Sequence, residues 1–277
     1  MKTTLYSAIV LLLMLASCTR ENGLIKNSST PKDTIPTGAD SVYAGAITNN
    51  YQPDSSGSTW TYQVRQVFNI SQSTIGQLYP QGAGSLAAYN MDTTIVYHVT
   101  ATGMTTRAGG LTFENYSNDY GGGIFTPAVA QSGTTYTGVD VVWELVWPAG
   151  GFGGFSLNDD TLTYCKDQPA GTSWKDTTIE LDAFGSLDTT IYALSVKATG
   201  ISRAVNGTSY PNVILIESTT LPSALTSYAV LLSGQGVNLN TTTEYYYAKN
   251  VGLIEEDLSA PFFGISVNAI LLRSNIR

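Results

Sequence analysis

The sequence predicts an all-β fold built on a large curved antiparallel sheet, either an open half-barrel or a sandwich, with few helices. In Thr59–Ile70 the even positions apart from Gln66 are apolar and the odd positions are mostly polar, which is typical of a strand with one buried face. Val139–Trp147 alternates in the same way, with Asp140 and Glu144 on the polar side. Helical periodicity fits few segments.

Two of the four tryptophans follow the same local pattern of Gln-Pro, glycine and two hydroxyl residues. Residues 52–60 read QPDSSGSTW and residues 168–174 read QPAGTSW. Proline fixes its own φ and glycine tolerates positive φ, so each segment predicts a turn that starts a strand. We expect Trp60 and Trp174 to be structural anchors buried beneath the sheet.

The same alternation predicts further strands along the chain, ending in a hairpin. They are Thr94–Ala101, Leu162–Tyr164, Trp174–Leu181, Ile191–Ala198, Val213–Ser218, Tyr228–Leu232, Thr243–Lys249, Leu253–Leu258 and Ile265–Arg273. The last hairpin is predicted to turn at Lys249–Gly252, because Asn and Gly tolerate left-handed conformations.

The first eighteen residues predict a lipoprotein signal. The apolar run Ala8–Leu15 is about half of the ~20 residues that a spanning helix needs. Leu15-Ala16-Ser17-Cys18 resembles a bacterial lipobox, which implies cleavage before Cys18 and lipid attachment there. The alternative is an ordinary secretory signal with an incidental cysteine. Two or more acyl chains, palmitate among them, would anchor Cys18 stably to a membrane.

These signals predict three parts. Residues 1–17 are the signal peptide, 18–50 are the lipidated cysteine with a flexible tether rich in Ser, Thr, Asn, Pro and Gly, and 51–277 are a single β domain. Because Trp60 and Trp174 lie 114 residues apart, the domain either contains two related halves, about 51–165 and 166–277, or uses one strand opening twice.

The charge balance argues against nucleic acid as a partner. Cleavage removes 17 of 277 residues, including Lys2, so 12 basic residues remain of 13, against 21 acidic ones. An acidic surface repels phosphate backbones, and no run of basic residues forms a local exception. With Cys18 acylated, only Cys165 remains, which excludes an internal disulfide.

The sequence offers little that points to catalysis or a metal site. His98, the one histidine, falls on the polar side of its strand, and we expect it to face solvent rather than act as a base. One histidine and one free cysteine argue against a zinc site. Cys165 has no nearby charge in the sequence, and we expect an inert buried thiol.

Carboxylates and glycine-rich loops give no stronger case for an enzyme. Asp140 and Glu144 share a strand face, but four strand residues separate their Cα atoms by about 13 Å, which is too far for most glycosidase pairs. Asn158-Asp159-Asp160 suits a polar loop better than a calcium loop. The glycine-rich stretches 121–123 and 149–155 lack the helix and lysine of a phosphate cradle. We expect no enzyme activity, no cofactor and no metal.

Aromatic residues are abundant, with 17 Tyr, 8 Phe and 4 Trp. On a curved sheet they could line a groove for an amphiphile, peptide or glycan, or they could fill the core. Three hypotheses follow. The first is a non-catalytic envelope lipoprotein with such a ligand groove, the second is a structural or adhesive surface module, and the third, less favoured, is a hydrolase.

Three short motifs carry a resemblance to a known group. Trp60-x-Tyr62 follows a Pro-Gly turn, Gly171-Thr172-Ser173-Trp174 repeats that opening, and a Tyr-Tyr-Ala-x-x-Val-Gly-Leu hairpin begins at Tyr246. Together they resemble uncharacterised envelope lipoproteins of Bacteroidota. The resemblance implies an open half-barrel similar to lipoprotein carriers such as LolA and LppX, and no established activity. Because Thr19 is not the aspartate linked to inner-membrane retention, we expect the outer membrane, with the periplasmic or surface-facing side left open.

A recurrent Asp-Ser/Thr pattern suggests a modification. It occurs six times, and four copies fit a turn followed by a strand. The copies at Asp33-Thr34-Ile35 and Asp40-Ser41-Val42 lie in the predicted tether, where no sheet explains them. The pattern resembles the O-glycosylation acceptor of Bacteroidota envelope proteins, so we expect glycans on Thr34 and Ser41.

Overall fold

The computed structural model describes residues 42–43, 50–74, 88–108, 110–118, 128–139, 161–181, 187–222 and 239–277. Nearly all of these residues are in strands, and the strands belong to one large antiparallel sheet. The all-β prediction is therefore confirmed. Within the described residues no helix is both long and apolar enough to cross a membrane.

Thirteen strands are described. They are β1 Val42–Tyr43, β2 Thr59–Ile70, β3 Tyr89–Ala108, β4 Leu111–Asn118, β5 Ala128–Ser132, β6 Thr135–Val139, β7 Thr161–Lys166, β8 Ser173–Leu181, β9 Leu187–Val205, β10 Thr208–Pro222, β11 Thr241–Ala248, β12 Gly252–Ala260 and β13 Ile265–Ile276. A short 3-10 turn, Pro261–Phe263, joins β12 to β13.

The sheet consists of two consecutive meanders that are joined side by side. Its order is β7-β6-β5-β4-β3-β2-β13-β12-β11-β10-β9-β8. Strands β2 to β7 therefore form one run of six and β8 to β13 form the other. The runs are joined by the antiparallel ladder between β2 and β13, in which Phe68 lies opposite Ile265 and Thr59 opposite Asn275. Each run begins with one of the two tryptophan strands.

The first tryptophan strand starts from a hydrogen-bonded turn. The Ser58 amide donates to the Ser55 carbonyl at 3.0 Å, and Gly57 has a φ of 81°. The turn is also tied to β3, because the Gly57 amide donates to the Ala101 carbonyl at 2.8 Å and the Ala101 amide donates back to the Ser58 carbonyl at 2.9 Å. The positive φ explains why a glycine is needed here.

The second opening repeats this network. The Thr172 amide donates to the Pro169 carbonyl at 3.1 Å, and Gly171 has a φ of 92°. The Gly171 amide donates to the Val196 carbonyl and the Val196 amide donates to the Thr172 carbonyl, both at 2.8 Å. The sequence pattern thus encodes the same turn twice, as predicted.

The two outer strands of the sheet, β7 and β8, meet through side chains. The Trp174 indole N–H donates to the Thr163 carbonyl at 2.7 Å, and the Thr163 amide donates to the Asp176 carboxylate at 2.8 Å. The Lys166 ammonium lies 5.1 Å from the centre of the Trp174 ring. These contacts satisfy backbone groups of an edge strand and bring the sheet nearly to a closed barrel. We call this junction the seam.

The connections alternate between two ends of the barrel because neighbouring strands are antiparallel. Those after β3, β5, β7, β9 and β11 lie at the end where β2 begins, and they span two to six residues. We call this the short-turn end. The connections after β2, β4, β6, β8, β10 and β12 lie at the opposite end and span four to 21 residues. We call that the long-connection end.

The N-terminal part of the described chain packs at the short-turn end. β1 pairs in parallel with the end of β13, with Val42 opposite Asn275 and Tyr43 opposite Ile276. Residues 50–58 lie against the barrel there, and the Asn250 amide in the turn between β11 and β12 donates to the Asn50 carbonyl at 2.6 Å. Val42, the described residue nearest to Cys18 in sequence, therefore lies at this end.

The strand predictions hold where the alternation is regular. β2 has the predicted bounds, and β3 and β7 to β13 contain their predicted segments apart from Lys249, which lies one residue past β11. The hairpin between β11 and β12 turns where expected, with positive φ at Asn250 and Gly252. β4 and β5 were not predicted, and of Val139–Trp147 only Val139, the last residue of β6, is described. The predicted strand Tyr228–Leu232 also lies outside the described residues.

Two glycines with positive φ offer a matched test of the turns. A Cβ at Gly171 would meet nothing within 4 Å, whereas a Cβ at Gly264 would overlap the Asn69 backbone carbonyl. We expect Gly171→Ala to lower the free energy of unfolding by about 1 kcal/mol through backbone strain alone. Gly264→Ala should cost clearly more, because the carbonyl must also move. Denaturant unfolding of both variants measures the difference, and equal losses would contradict the assigned clash.

Candidate functional site: the barrel interior

The interior of the barrel is lined by tyrosines. Along Tyr245-Tyr246-Tyr247 the side chains of the first and third residues point inward, with ring centres 6.2 Å apart, and the second points outward. Tyr164 lies 5.7 Å from the Tyr247 ring and 6.4 Å from the Tyr136 ring. These rings are buried, so the described inward-facing aromatic residues form the core rather than an open groove.

Aromatic side chains also fix the N-terminal segment in the short-turn end. The Tyr51 amide donates to the Tyr136 hydroxyl at 3.0 Å, and the Tyr116 hydroxyl donates to the Pro53 carbonyl at 2.9 Å. The Trp60 indole N–H donates to the Val251 carbonyl at 2.6 Å. Because each bond joins residues that are far apart in sequence, the segment acts as a plug that locks the strand ends together. We call residues 50–58 the plug.

Several polar atoms in and next to the plug are buried and form no hydrogen bond with other described residues. Within the described chain, the side-chain oxygens of Asn50, Gln52 and Asn250 and the hydroxyl of Tyr164 are buried and have no hydrogen-bond partner. Buried groups of this kind in native proteins commonly bind internal water. The interior is therefore polar as well as aromatic near the short-turn end.

A glutamate lies inside the barrel among these tyrosines. Glu256 is 2% exposed and lies between Tyr245 of β11 and Ala269 of β13 in the sheet register. Burial, together with the neighbouring Asp257, raises the pKa of its carboxyl well above the usual value. Removing a carboxylate from water disfavours its charged form, so the neutral acid is stabilised at this position.

The surrounding phenols are also held neutral. Burial raises the pKa of Tyr136 to about 12 and moves the pKa of Tyr62, Tyr245 and Tyr247 further upward. The Tyr62 hydroxyl donates to the Leu253 carbonyl at 2.9 Å. The chemistry of this interior is therefore that of neutral hydrogen-bonding groups on an aromatic wall, which suits packing or binding better than proton transfer.

Two residues that the sequence analysis considered for catalysis are placed by the structure. Cys165 is fully buried between β6 and β8, and burial raises the pKa of its thiol. The expectation of an inert thiol fits this geometry, because the reactive thiolate is disfavoured. His98 is half-buried rather than fully solvent-facing, lies opposite Thr61, and has an interaction partner.

The tryptophan anchors differ in burial. Trp60 is 2% exposed and lies 5.9 Å from the Tyr116 ring. Trp174 is only half-buried, because it lies at the seam, although it packs against the same core. Both indoles donate to backbone carbonyls. The expectation of two equally buried anchors therefore fits Trp60 better than Trp174.

Several predicted site residues lie outside the described residues. They are Cys18, Thr34, Ser41, Asp140, Glu144, Asn158, Asp159, Asp160 and the glycine stretches 121–123 and 149–155. Within the described part of the chain, no group of three or more His, Cys, Asp or Glu residues is arranged to hold a metal ion.

Sequence reasoning missed Glu256 as a buried group. The only signal for it is its position, because it shares the alternating face of β12 with Ile254 and Leu258, both of which are buried. A glutamate in that pattern is ordinarily taken as a break in the alternation. Its burial follows from closure of the barrel around it, which depends on residues far away in sequence.

Comparisons with known proteins give two similar solved structures. One is a Bacteroides fragilis protein classed as an exported protein with a YmcC-like fold, with a TM-score of 0.37 and 8% identity over 80% of this chain and 97% of that one. The other is a Parabacteroides distasonis protein classed as a lipoprotein, with a TM-score of 0.39 and 8% identity over 81% of this chain and 98% of that one. No family model and no curated protein matches the chain.

The two tryptophans should respond differently to truncation. We expect Trp60→Ala to lower the free energy of unfolding by about 3 to 5 kcal/mol, the range for a buried large aromatic. Trp174→Ala should cost less, because its ring is half-exposed. Trp60→Phe and Trp174→Phe are the controls that retain a ring but remove the indole donor. Denaturant unfolding gives all four values, and a larger loss at Trp174 than at Trp60 would contradict the burial assigned here.

The buried carboxyl makes stability depend on pH with a defined sign. Because the folded-state pKa of Glu256 is raised, ionisation favours the unfolded state, and stability falls as pH rises from the ordinary glutamate pKa towards the raised value. Glu256→Gln, which mimics the neutral acid, should be more stable than the wild type at pH 7, and this advantage should shrink towards about pH 4.

Glu255→Gln is the matched control for this experiment. Glu255 points outward and accepts from Arg203 at 2.7 Å, so its replacement should lower stability by up to about 1 kcal/mol. Urea unfolding across the pH range compares the two variants. A Glu256→Gln variant that is less stable than the wild type at pH 7 would show that the carboxylate form is favoured inside the barrel.

Proposed function

We propose that the protein is a non-catalytic envelope lipoprotein, anchored to the outer membrane through lipid on Cys18, whose barrel works as a rigid module on a tether. The observation that carries the proposal is the sequence Leu15-Ala16-Ser17-Cys18 directly after a short apolar run. Acyl chains at that cysteine would supply the membrane affinity of the protein. The side from which the barrel projects is either periplasmic or extracellular.

The fold supports a binding or structural role over a catalytic one. Its described interior is packed with buried tyrosines and one buried glutamate, so these groups do not face solvent, from which a substrate would reach them. Function is therefore assigned to the outer surface and the ends of the barrel, where a peptide, a glycan or another envelope component can bind. This corresponds to the structural or adhesive module of the sequence analysis.

The seam favours a second candidate, a carrier of an amphiphile. β7 and β8 are held by the side chains of Trp174 and Asp176, so parting them would break few bonds and expose the tyrosine interior. Tyrosine hydroxyls on an aromatic wall suit a ligand with an apolar body and a polar head. Lipid extraction and mass spectrometry of protein from its native envelope distinguish this candidate, which requires a co-purifying amphiphile.

Anchoring is tested by Cys18→Ser. Because the serine hydroxyl does not receive the lipid, we expect the variant to move from the membrane pellet to the soluble fraction. Cys165→Ser is the control that removes the other cysteine and should leave the protein in the pellet. A Cys18→Ser protein that still sediments with membranes would refute lipid anchoring at this residue.

The tether glycans are part of the same proposal. O-linked sugars on Thr34 and Ser41 would stiffen the segment and shield it from proteases. The intact mass of the purified wild-type protein decides both modifications, because acyl chains and glycans add distinct increments. A mass equal to that of the lipidated polypeptide alone would remove the glycans from the proposal and leave the anchor in place.

A further inference from the structure

The sequences near the two ends of the strands differ in charge. At the short-turn end, six basic residues lie within three positions of a turn or of the last residue: Arg107, Lys166, Lys175, Arg203, Lys249 and Arg277. Three acidic residues also lie there: Asp54 in the plug, Asp167 in a turn, and Glu255, which forms an ion pair with Arg203. This end therefore has a net positive charge, although the chain as a whole is acidic.

The long-connection end has the reverse composition. The sequences that connect strands there, with the three residues on either side, contain eight acidic residues and no Lys or Arg. The acidic residues are Asp119, Asp140, Glu144, Asp159, Asp160, Glu180, Asp182 and Asp188. Of these, Glu180 and Asp188 lie in described strand ends, opposite each other in the ladder between β8 and β9, and the other six lie outside the described residues.

The described residue nearest to Cys18 in sequence lies at the positive end. Val42 pairs with Asn275 near the end of β13, and the plug fills the short-turn end. A lipid at Cys18 would therefore tether the barrel through a segment that is attached at its positive end. The position of this attachment and the charge of the end are independent observations.

We infer that the short-turn end of the barrel docks on an anionic membrane surface, with Arg107 and Arg277 among the side chains that contact lipid headgroups. This inference rests on the proposed anchoring at Cys18. Both arginines are exposed. Each basic residue near an anionic leaflet adds to the attraction, and a few of them together can orient a tethered domain.

Screening makes this orientation selective. A twelve-residue strand such as β2 spans about 40 Å along its own direction, whereas the Debye length is about 10 Å at 0.1 M salt. The strand ends that carry Glu180 and Asp188 are therefore little repelled when the short-turn end faces the membrane. In the inverted orientation these strand ends would enter the negative surface potential, so the anionic surface favours the first orientation.

Site-specific quenching tests the orientation on the full lipidated chain. Ala170 lies in the turn between β7 and β8, Ala88 lies just before β3 at the other end, and both are exposed. Ala170→Cys and Ala88→Cys are each labelled with a thiol-reactive dye and bound to vesicles of phosphatidylglycerol and phosphatidylcholine that carry a nitroxide on the headgroup. The buried Cys165 and the wild-type protein provide the labelling blank.

We expect the dye at position 170 to be quenched at least about threefold more than the dye at position 88, and the ratio to fall in about 0.5 M salt or on pure phosphatidylcholine. Arg107→Gln with Arg277→Gln should lower the ratio. Arg65→Gln with Lys197→Gln, which removes the same charge from strand interiors, should not. Circular dichroism of each variant confirms that it is folded.

The outcomes separate this inference from the anchoring proposal. Protein that does not float with any vesicles refutes lipid anchoring itself. If the protein floats but the two dyes are quenched equally, or the dye at position 88 is quenched more, the proposed orientation is wrong. A ratio that persists unchanged on pure phosphatidylcholine and at high salt shows that the tether alone orients the barrel, and it overturns the headgroup contact.

Discussion

Closure of the sheet is the constraint on which the rest of the structure depends. A sheet of this size has two edge strands with unpaired backbone groups, and these edges meet at the seam through the indole of Trp174 and the carboxylate of Asp176. Closure turns one face of every strand into an interior. Within the described residues, that interior holds the tyrosine rings, the plug and the buried Glu256 without a second sheet or a covering helix.

The sequence predicted the bounds of several strands and turns, but it did not predict which strands become neighbours when the sheet closes. β2 could be placed to the residue because most of its positions alternate and Gly57 marks its turn. β5 could not, because its buried residues are Ala128, Val129 and Ala130 in succession, without period-two contrast. Its burial on both faces comes from neighbouring strands, which a single segment does not reveal.

The same distinction applies to the candidate site. The inward positions of Tyr245 and Tyr247 follow from alternation, and the repeated Gln-Pro-Gly pattern predicts both tryptophan turns. The half-burial of Trp174 and the burial of Glu256 do not follow from any local pattern. Trp174 is placed by its contacts with Thr163 and Lys166 across the seam, and Glu256 is buried because the closed sheet surrounds it, so both environments depend on how strands meet and not on the alternation within one strand.

The parallel pairing of β1 with β13 has a consequence for distance. Because Val42 already pairs with Asn275, the tether between a lipid at Cys18 and the barrel is 24 residues long. A tether that ended at Asn50 would be 32 residues long. Fully extended, such a tether spans at most about 80 Å. A barrel anchored in this way would therefore contact only those partners that lie within about that distance of the bilayer.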